Sequence, residues 1–308
     1  MKKKRLIFIL VIAVIIALSI WAYKSYNVIN NPETAFRNSE APKSSSDIDT
    51  AKKDKSEFNA DKIYLAFLGL DMTDERIKTI GNFRTDTIGI FSIDLKTKKV
   101  NLLSIPRDTY VQIPDREGYD KINAAYPYGG MGKSGYELSL KTISNFLGID
   151  VNYYVSIDMQ NISQIVDAVG GIPINVEEDM HTHGANLNKG YQVLDGKKAE
   201  EYVRWRYDPM GDINRVKRQQ QFLLAFLKQL KANKNDVSSY LKLYNAFKGD
   251  IYTNLNFNQI LALISVMKDV NADDIKTYTV PGSFYNLNNI SYWKPDMEKL
   301  NEILKEFK

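Results

Sequence analysis

The first two dozen residues constrain this chain more than any other stretch. Lys2, Lys3, Lys4 and Arg5 precede an uncharged apolar run from Leu6 to Ala22, with Trp21 and Tyr23 at its far end. A run of about 17 residues crosses a hydrocarbon core of about 30 Å only as a helix, and only just. The basic flank keeps the N-terminus cytoplasmic, and the aromatic pair sits where an interfacial belt belongs. A cleaved signal peptide would carry a shorter apolar region and small residues at its cleavage site, whereas Ile20-Trp21-Ala22-Tyr23 is bulky. The sequence therefore predicts a basic cytoplasmic tail over residues 1–5 and an uncleaved, single-pass transmembrane signal anchor in the cell membrane over 6–23. Everything after is expected to be extracytoplasmic: a flexible linker over 24–60, then one domain over 61–308 whose motifs concentrate in 61–232.

The net charge of +4 is the charge of Lys2 to Arg5, so residues 6–308 sum to zero. Nothing in the charge balance supports nucleic acid as a partner. Cysteine is absent, so an exported domain of this size must be held by its core, for which 44% hydrophobic residues is ample. Between Asn38 and Ser56 the chain carries Ser44-Ser45-Ser46, Pro42 and mixed Lys and Asp, with almost no large apolar groups. Such a stretch cannot build a core and reads as a tether.

From Lys62 the texture changes. Short apolar runs at Ile63–Leu68, Thr87–Ile93 and Val100–Ile105 read as strands, the last two joined by the polar turn Asp94–Lys99 as a hairpin. Tyr110–Ile113, Val151–Ile157, Ile172–Val176 and Ile275–Val280 read as further strands. Helical spacing marks Gly135–Leu147, Gln160–Val169, Lys197–Tyr202, Ile213–Leu230, 236–248, 257–269 and a terminal helix from Met297. Strands alternating with helices give an α/β domain, and the hairpin makes its sheet mixed: a central β-sheet flanked by helices on both faces.

The arginines are the informative residues. The 41 basic residues divide into 31 Lys and 10 Arg, and the last ninety positions hold eleven Lys and no Arg. Six Arg fall at three places: Arg84; Arg107; and Arg204, Arg206, Arg215 and Arg218. A chain that uses Lys as its ordinary surface cation and reserves the rigid bidentate fork of Arg for loops and helix starts is built to grip an oxyanion. Asp71, Asp86 and Asp108 lie at the ends of the same strands, and carboxylates mixed with arginines suit a divalent cation bound against phosphate oxygens. Gly130-Met131-Gly132-Lys133-Ser134 imitates a phosphate loop, but Pro127 stands where its first glycine belongs, so it reads as a loop and helix start. His181 and His183 sit in a polar loop and read as solvent-exposed. Phe222, Leu223, Phe226 and Leu227 are too many apolar groups for one helix face, so part of that helix is expected to line a tunnel.

Seven strings occur in order: Arg84-Thr85-Asp86-Thr87, Ser104-Ile105-Pro106-Arg107-Asp108-Thr109, Lys121-Ile122-Asn123-Ala124-Ala125-Tyr126, Val169-Gly170-Gly171-Ile172, Leu194-Asp195-Gly196, Val203-Arg204-Trp205-Arg206, and Asp212-Ile213-Asn214-Arg215-Val216-Lys217-Arg218-Gln219-Gln220. Together, over residues 60–232, they resemble the LytR–CpsA–Psr family of bacterial envelope proteins. The last seventy-five residues match it only in general character, and the loop from Trp205 to Gly211 departs from it. The resemblance implies a pocket for a polyprenyl chain and the transfer of a phosphate-linked glycopolymer from an undecaprenyl diphosphate carrier to peptidoglycan. The polymer would be a teichoic acid, a capsule or a secondary wall polysaccharide. On that reading Asp71 and Asp86 hold Mg²⁺ or Mn²⁺. Arg84, Arg107, Lys121, Arg204, Arg206, Arg215, Arg218 and Gln219 bind the diphosphate, with Arg84 and Arg107 also acting on the transition state. Asp108 or Asp212 takes the proton of the attacking hydroxyl. The alternatives are a prenyl-phosphate-binding regulatory protein and a lipid diphosphatase.

Overall fold

The computed structural model describes residues 23–37, 61–72, 78, 81–182, 184–207, 212–233 and 237–308. The expected anchor, apart from Tyr23, and the expected linker from residue 38 lie outside them. Among the described residues no helix is long and apolar enough to cross a membrane. The linker expectation fails at its start. Residues 23–30 are helical, Thr34–Arg37 adds one more turn, and Val28 and Phe36 are buried. Phe36 packs edge-on against Tyr153 at 5.2 Å. Two apolar anchors are enough to dock a short segment that composition alone reads as tether.

The core is a six-stranded mixed sheet. Its strands are β1 (Lys62–Leu70), β2 (Thr85–Asp94), β3 (Val100–Ser104), β6 (Tyr153–Asp158), β9 (Ile251–Thr253) and β10 (Lys276–Thr279), in the order β10-β3-β2-β1-β6-β9. Strand β2 runs antiparallel to β1 and β3, whereas β6 runs parallel to β1 and β10 parallel to β3. Because strand side chains alternate, β1 sends Ala66, Leu68 and Leu70 to one face and Ile63 and Leu65 to the other. Both sets are buried, so both faces must be covered. Helix α1 (Gly132–Leu147) and the terminal helix α7 (Met297–Phe307) cover the first face through Leu140, Ile143, Leu304 and Phe307. Helices α4 (Asp212–Asn233), α5 (Val237–Phe247) and α6 (Phe257–Asp269) cover the second.

Three hairpins stand outside this sheet: β4 (Tyr110–Gln112) with β5 (Tyr119–Lys121), β7 (Ile172–Val176) with β8 (Gly190–Leu194), and β11 (Gly282–Leu287) with β12 (Ile290–Pro295). The sequence reading marks β4 and β7 but not their partners, and misses β9 and the β11–β12 pair. These strands are short and half-exposed, so they lack the continuous apolar run that marks the central ones. Helices α2 (Ile162–Ala168) and α3 (Gly196–Arg204) pack with the β7–β8 hairpin into a third apolar cluster around Tyr202.

Candidate functional site

The ends of β1, β2 and β3 meet the start of α4. Between Gly69 and Leu70 the register of β1 against β2 shifts, and a Cβ on Gly69 would lie 2.9 Å from Thr87 Cβ. Glycine thus lets the two strands close up just before Asp71 leaves the sheet. After β3, Thr109 folds back to hydrogen-bond the Pro106 carbonyl through both its amide and its hydroxyl, which turns Arg107 toward the sheet end. Helix α4 supplies the remaining wall. Asp212 and Arg215 pair one turn apart, and Gln219 follows Arg215 by four residues on the same side. Asp212 in the first turn also complements the helix dipole.

These elements enclose a cavity of about 390 Å³ lined by Asp71, Asp86, Arg107, Arg204, Arg206, Arg215 and Gln219, with Met159 and Val203. Arg107 is its hub. Its Nη1 lies 3.1 Å from Asp86 Oδ1, and its Nε 3.3 Å from Asp212 Oδ1 and 3.9 Å from Asp108 Oδ1. Arg215 bonds Asp212 and donates to the Asp86 carbonyl, and Arg204 reaches Asp71 at 3.4 Å and Glu200 at 3.2 Å. Burial alone would lower the pKa of Arg107, but the carboxylates of Asp86, Asp212 and Asp108 outweigh it and hold the group above its ordinary value. Burial pushes Asp212 up, against Arg215 and Arg107, and pushes Arg215 down, against Asp212. An arginine pushed down still keeps its proton at neutral pH.

Seven of the residues expected from sequence to hold diphosphate or metal therefore line one wall. Three do not. Arg84 is half-buried outside the cavity, where its charge acts on Tyr128. Arg218 is 3% exposed and spent on structure: it lies over the Trp205 ring, donates to the Trp205 carbonyl and faces Glu178. It fixes the buried Trp205 at the head of a loop whose residues 208–211 are outside the described set. Lys121 stands one step back, 3.0 Å from Asp108. His181 is exposed and bonds Asn186, and His183 is outside the described residues.

The carboxylates of Asp71 and Asp86 face the same cavity. Among the described residues no cluster of three acidic or imidazole groups forms a ready-made metal cage. Two carboxylates with room for water and phosphate oxygens fit Mg²⁺, which is seldom held by protein ligands alone. The same wall continues into apolar space. A neck of about 60 Å³ shares Asp86, Met159, Val203 and Gln219 with the polar cavity, and shares Phe67, Ile157, Ile162, Phe222 and Leu223 with an apolar cavity of about 290 Å³. Phe226 lines the apolar cavity too, and Leu227 lines a neighbouring one of about 240 Å³. All four expected lipid-pocket residues thus face interior space. The opposite wall, from α5, escaped the sequence reading. Tyr240, Leu243, Tyr244 and Phe247 repeat at helical spacing, yet none is fully buried, because they face a cavity instead of packed side chains. That spacing was the available signal.

A mixed α/β sheet carries an arginine–aspartate cavity that shares lining residues, through a narrow neck, with an apolar one, a two-part site of the kind an amphiphilic oxyanion would fit. The LytR_cpsA_psr family model matches residues 33–308, and the chain belongs to this family. The match includes the last seventy-five residues, which sequence reading related to the family only in general character. The chain is 33% identical over 248 residues to the polyisoprenyl-teichoic acid–peptidoglycan teichoic acid transferase TagU of Oceanobacillus iheyensis, covering 80% of this chain and 75% of that one. Among solved structures it is similar to TagV of B. subtilis, with a TM-score of 0.70, 30% identity, and 80% and 95% of the two chains covered. It is also similar to TagT bound to LIIa-WTA, with a TM-score of 0.66, 26% identity, and 88% and 96% covered.

Proposed function

We propose that this protein is a phosphotransferase that moves a phosphate-linked glycopolymer of the teichoic acid type from a polyprenyl diphosphate carrier to peptidoglycan. The observation that carries the reading is the shared wall between the polar and apolar cavities, since a polyprenyl diphosphate has the same two halves in the same order. The family relatives named as teichoic acid transferases support it. Arg107, Arg204, Arg206 and Arg215, with Gln219, grip the diphosphate oxygens, and the prenyl chain runs past Phe222 and Leu223 toward Phe226.

In the transfer step an acceptor hydroxyl oxygen attacks the phosphorus that bears the polymer. The bond from that phosphorus to the bridging oxygen breaks, and the prenyl phosphate leaves with the electron pair. Asp212 takes the hydroxyl proton: its Oδ2 has no hydrogen-bond partner among the described residues, while its Oδ1 takes the arginines. Asp108 instead holds Lys121 beside the reacting group. Arg107 and Arg215 neutralise charge that develops on the phosphoryl oxygens. Asp71 and Asp86 would hold Mg²⁺ or Mn²⁺, which when bound supplies further charge neutralisation on the diphosphate. An N-terminal anchor over residues 6–23 would hold the domain outside the cell membrane beside its lipid substrate.

The test is an assay with lipid-linked polymer and a peptidoglycan acceptor, with and without a chelator. Polymer on the wall fraction supports transfer, hydrolysed lipid alone points to a diphosphatase, and binding without turnover points to a regulator. Loss of transfer on chelation, restored by Mg²⁺, supports the metal. Mass spectrometry of the membrane-extracted protein tests the anchor, which fails if the mature chain begins between Ala22 and Ser56.

A further inference from the structure

Two hairpins whose tyrosines the proposed transfer leaves unused meet beside the site. Across β4 and β5, Tyr110 pairs with Lys121 and Gln112 with Tyr119, so Tyr110, Tyr119 and Lys121 share one face. Across β11 and β12, Tyr285 pairs with Tyr292 and Ser283 with Lys294, again on one face. The two faces pack into a single aromatic surface. Tyr110 stacks on Tyr119 at 5.1 Å and lies 5.8 Å from Tyr285 and 4.8 Å from Tyr292. Lys121 and Lys294 lie over the rings of Tyr292 and Tyr285. Tyr292 is buried beneath, Tyr110 and Tyr285 are half-exposed, and Tyr119 is 56% exposed. Core packing does not account for a tyrosine that stacks at the surface with its ring in solvent.

The surface is joined to the reacting groups by the chain itself. The Trp293 amide donates to the Asp108 carbonyl, Thr109 bridges to Trp293, and Lys121 Nζ lies 3.0 Å from Asp108 Oδ1. Arg107 is the next residue. Yet neither Asp108 nor any of the four tyrosines lines the polar, neck or apolar cavities, whose walls are built by the central strands, the segments at their ends and helices α2 to α6 instead. The aromatic surface is therefore separate from the cavities assigned to the prenyl diphosphate.

We propose that this two-hairpin tyrosine surface is the binding site for the acceptor glycan, a strand of alternating N-acetylated hexosamines, and that it delivers a sugar hydroxyl to Asp108, Arg107 and Asp212. The inference rests on the transfer reading above and adds to it the place of the second substrate. Tyrosine suits the task because its ring packs on the C–H face of a pyranose while its hydroxyl stays wet and hydrogen-bonds the sugar's rim. Charge selects between the two carbohydrates of the reaction. Lys121 is paired with Asp108, Lys294 lies over the Tyr285 ring, and Arg116 is laid on Tyr128, which itself donates to Asp120, so each of these cations is already engaged. A ring-rich surface whose cations are engaged fits pyranose faces, whereas a polyphosphate polymer would be met by unengaged cations.

The experiment measures direct binding by the full-length protein in detergent. The probes are uncrosslinked peptidoglycan glycan strands, free teichoic acid polymer and undecaprenyl diphosphate. The variants are Tyr119→Ala, Tyr285→Ala, their combination, and Tyr119→Phe. The double alanine variant is expected to raise the Kd for glycan strands about tenfold, Tyr119→Phe to raise it less because it keeps the ring and loses only the hydroxyl, and the Kd for undecaprenyl diphosphate to stay unchanged. The proposal is overturned if wild type does not bind glycan strands, if the well-folded double variant binds them as wild type does, or if the loss falls on the teichoic acid polymer instead. Because the readout is binding, a wild type that holds glycan through these tyrosines but transfers nothing would leave the surface standing and remove the transfer reading.

Discussion

The polar cavity and the apolar cavity behind it share one helix, yet they are made in opposite ways. Around Arg107 the buried charges are already paired: three carboxylates lie within 3.9 Å of one guanidinium, and Arg215 and Arg204 hold partners of their own. Behind Phe222 the wall is Phe, Leu, Ile and Tyr from α2, α4, α5 and α6, and it encloses space. Charges in a low-dielectric site must be paired before the ligand arrives, or the fold would bear their desolvation. Apolar side chains carry no such debt and can leave a volume unfilled. The first region should therefore be sensitive to atom-level change and the second to volume.

Substitutions at four positions test that contrast, in order of decreasing effect, with Asp108 and Arg116 as comparisons. Asp212→Asn should lower transfer by at least about a hundredfold, the range of a lost general base. Its pH profile is the sharper measurement. Burial raises the Asp212 pKa, so in wild type the acid limb of kcat should lie above the ordinary carboxylate range and should vanish in the variant. For stability the sign runs the same way: the native state binds this proton more tightly than the unfolded chain, so the contribution of Asp212 falls as pH rises through the raised pKa. A limb that persists in Asp212→Asn and disappears in Asp108→Asn would exchange the roles of the two carboxylates.

Arg107→Lys should lower transfer about tenfold, since Lys keeps the charge but loses the fork that bridges its carboxylates. Arg107→Ala should also lower the Tm by at least about 5 °C, because it strands three carboxylates together. A fully active Arg107→Lys would end the phosphate site as drawn here. Next, Phe226→Trp should raise the KM for the lipid-linked donor roughly fivefold by filling the apolar cavity, with kcat and Tm near wild type. A fall in kcat without a change in KM would mean that the cavity is not the lipid route. The smallest effect is expected at the rim. Arg206→Lys should change transfer by no more than about fivefold, because the side chain is exposed, and Arg116→Lys should be silent.

The central fold was legible wherever local pattern and burial agree. The runs that became β1, β2 and β3 are apolar on both faces, and helices α1, α4 and α6 carry clear helical spacing. Within the site, the excess of Arg at strand ends and helix starts pointed to Arg107, Arg204, Arg206 and Arg215 because Arg is scarce elsewhere in a Lys-rich chain. The same signal also marked Arg84 and Arg218, which do not line the cavity. Composition records that an arginine has a special task, but it does not say whether the fork meets a ligand or, as at Arg218, the chain's own Trp205.

By itself the sequence determined the class of fold, the family and which residue type gathers at the site, because periodicity, the order of motifs and the choice of Arg over Lys are local properties of the chain. Tertiary structure alone decided which arginines face the cavity, that Asp86, Asp108 and Asp212 converge on Arg107, that α5 walls an apolar space, and that Tyr110, Tyr119, Tyr285 and Tyr292 form one surface. Each of those depends on residues up to 182 positions apart being brought within a few ångströms, as Tyr110 and Tyr292 are. Such contacts are set by the order of strands in the sheet and by the packing of its two faces, which no local pattern encodes.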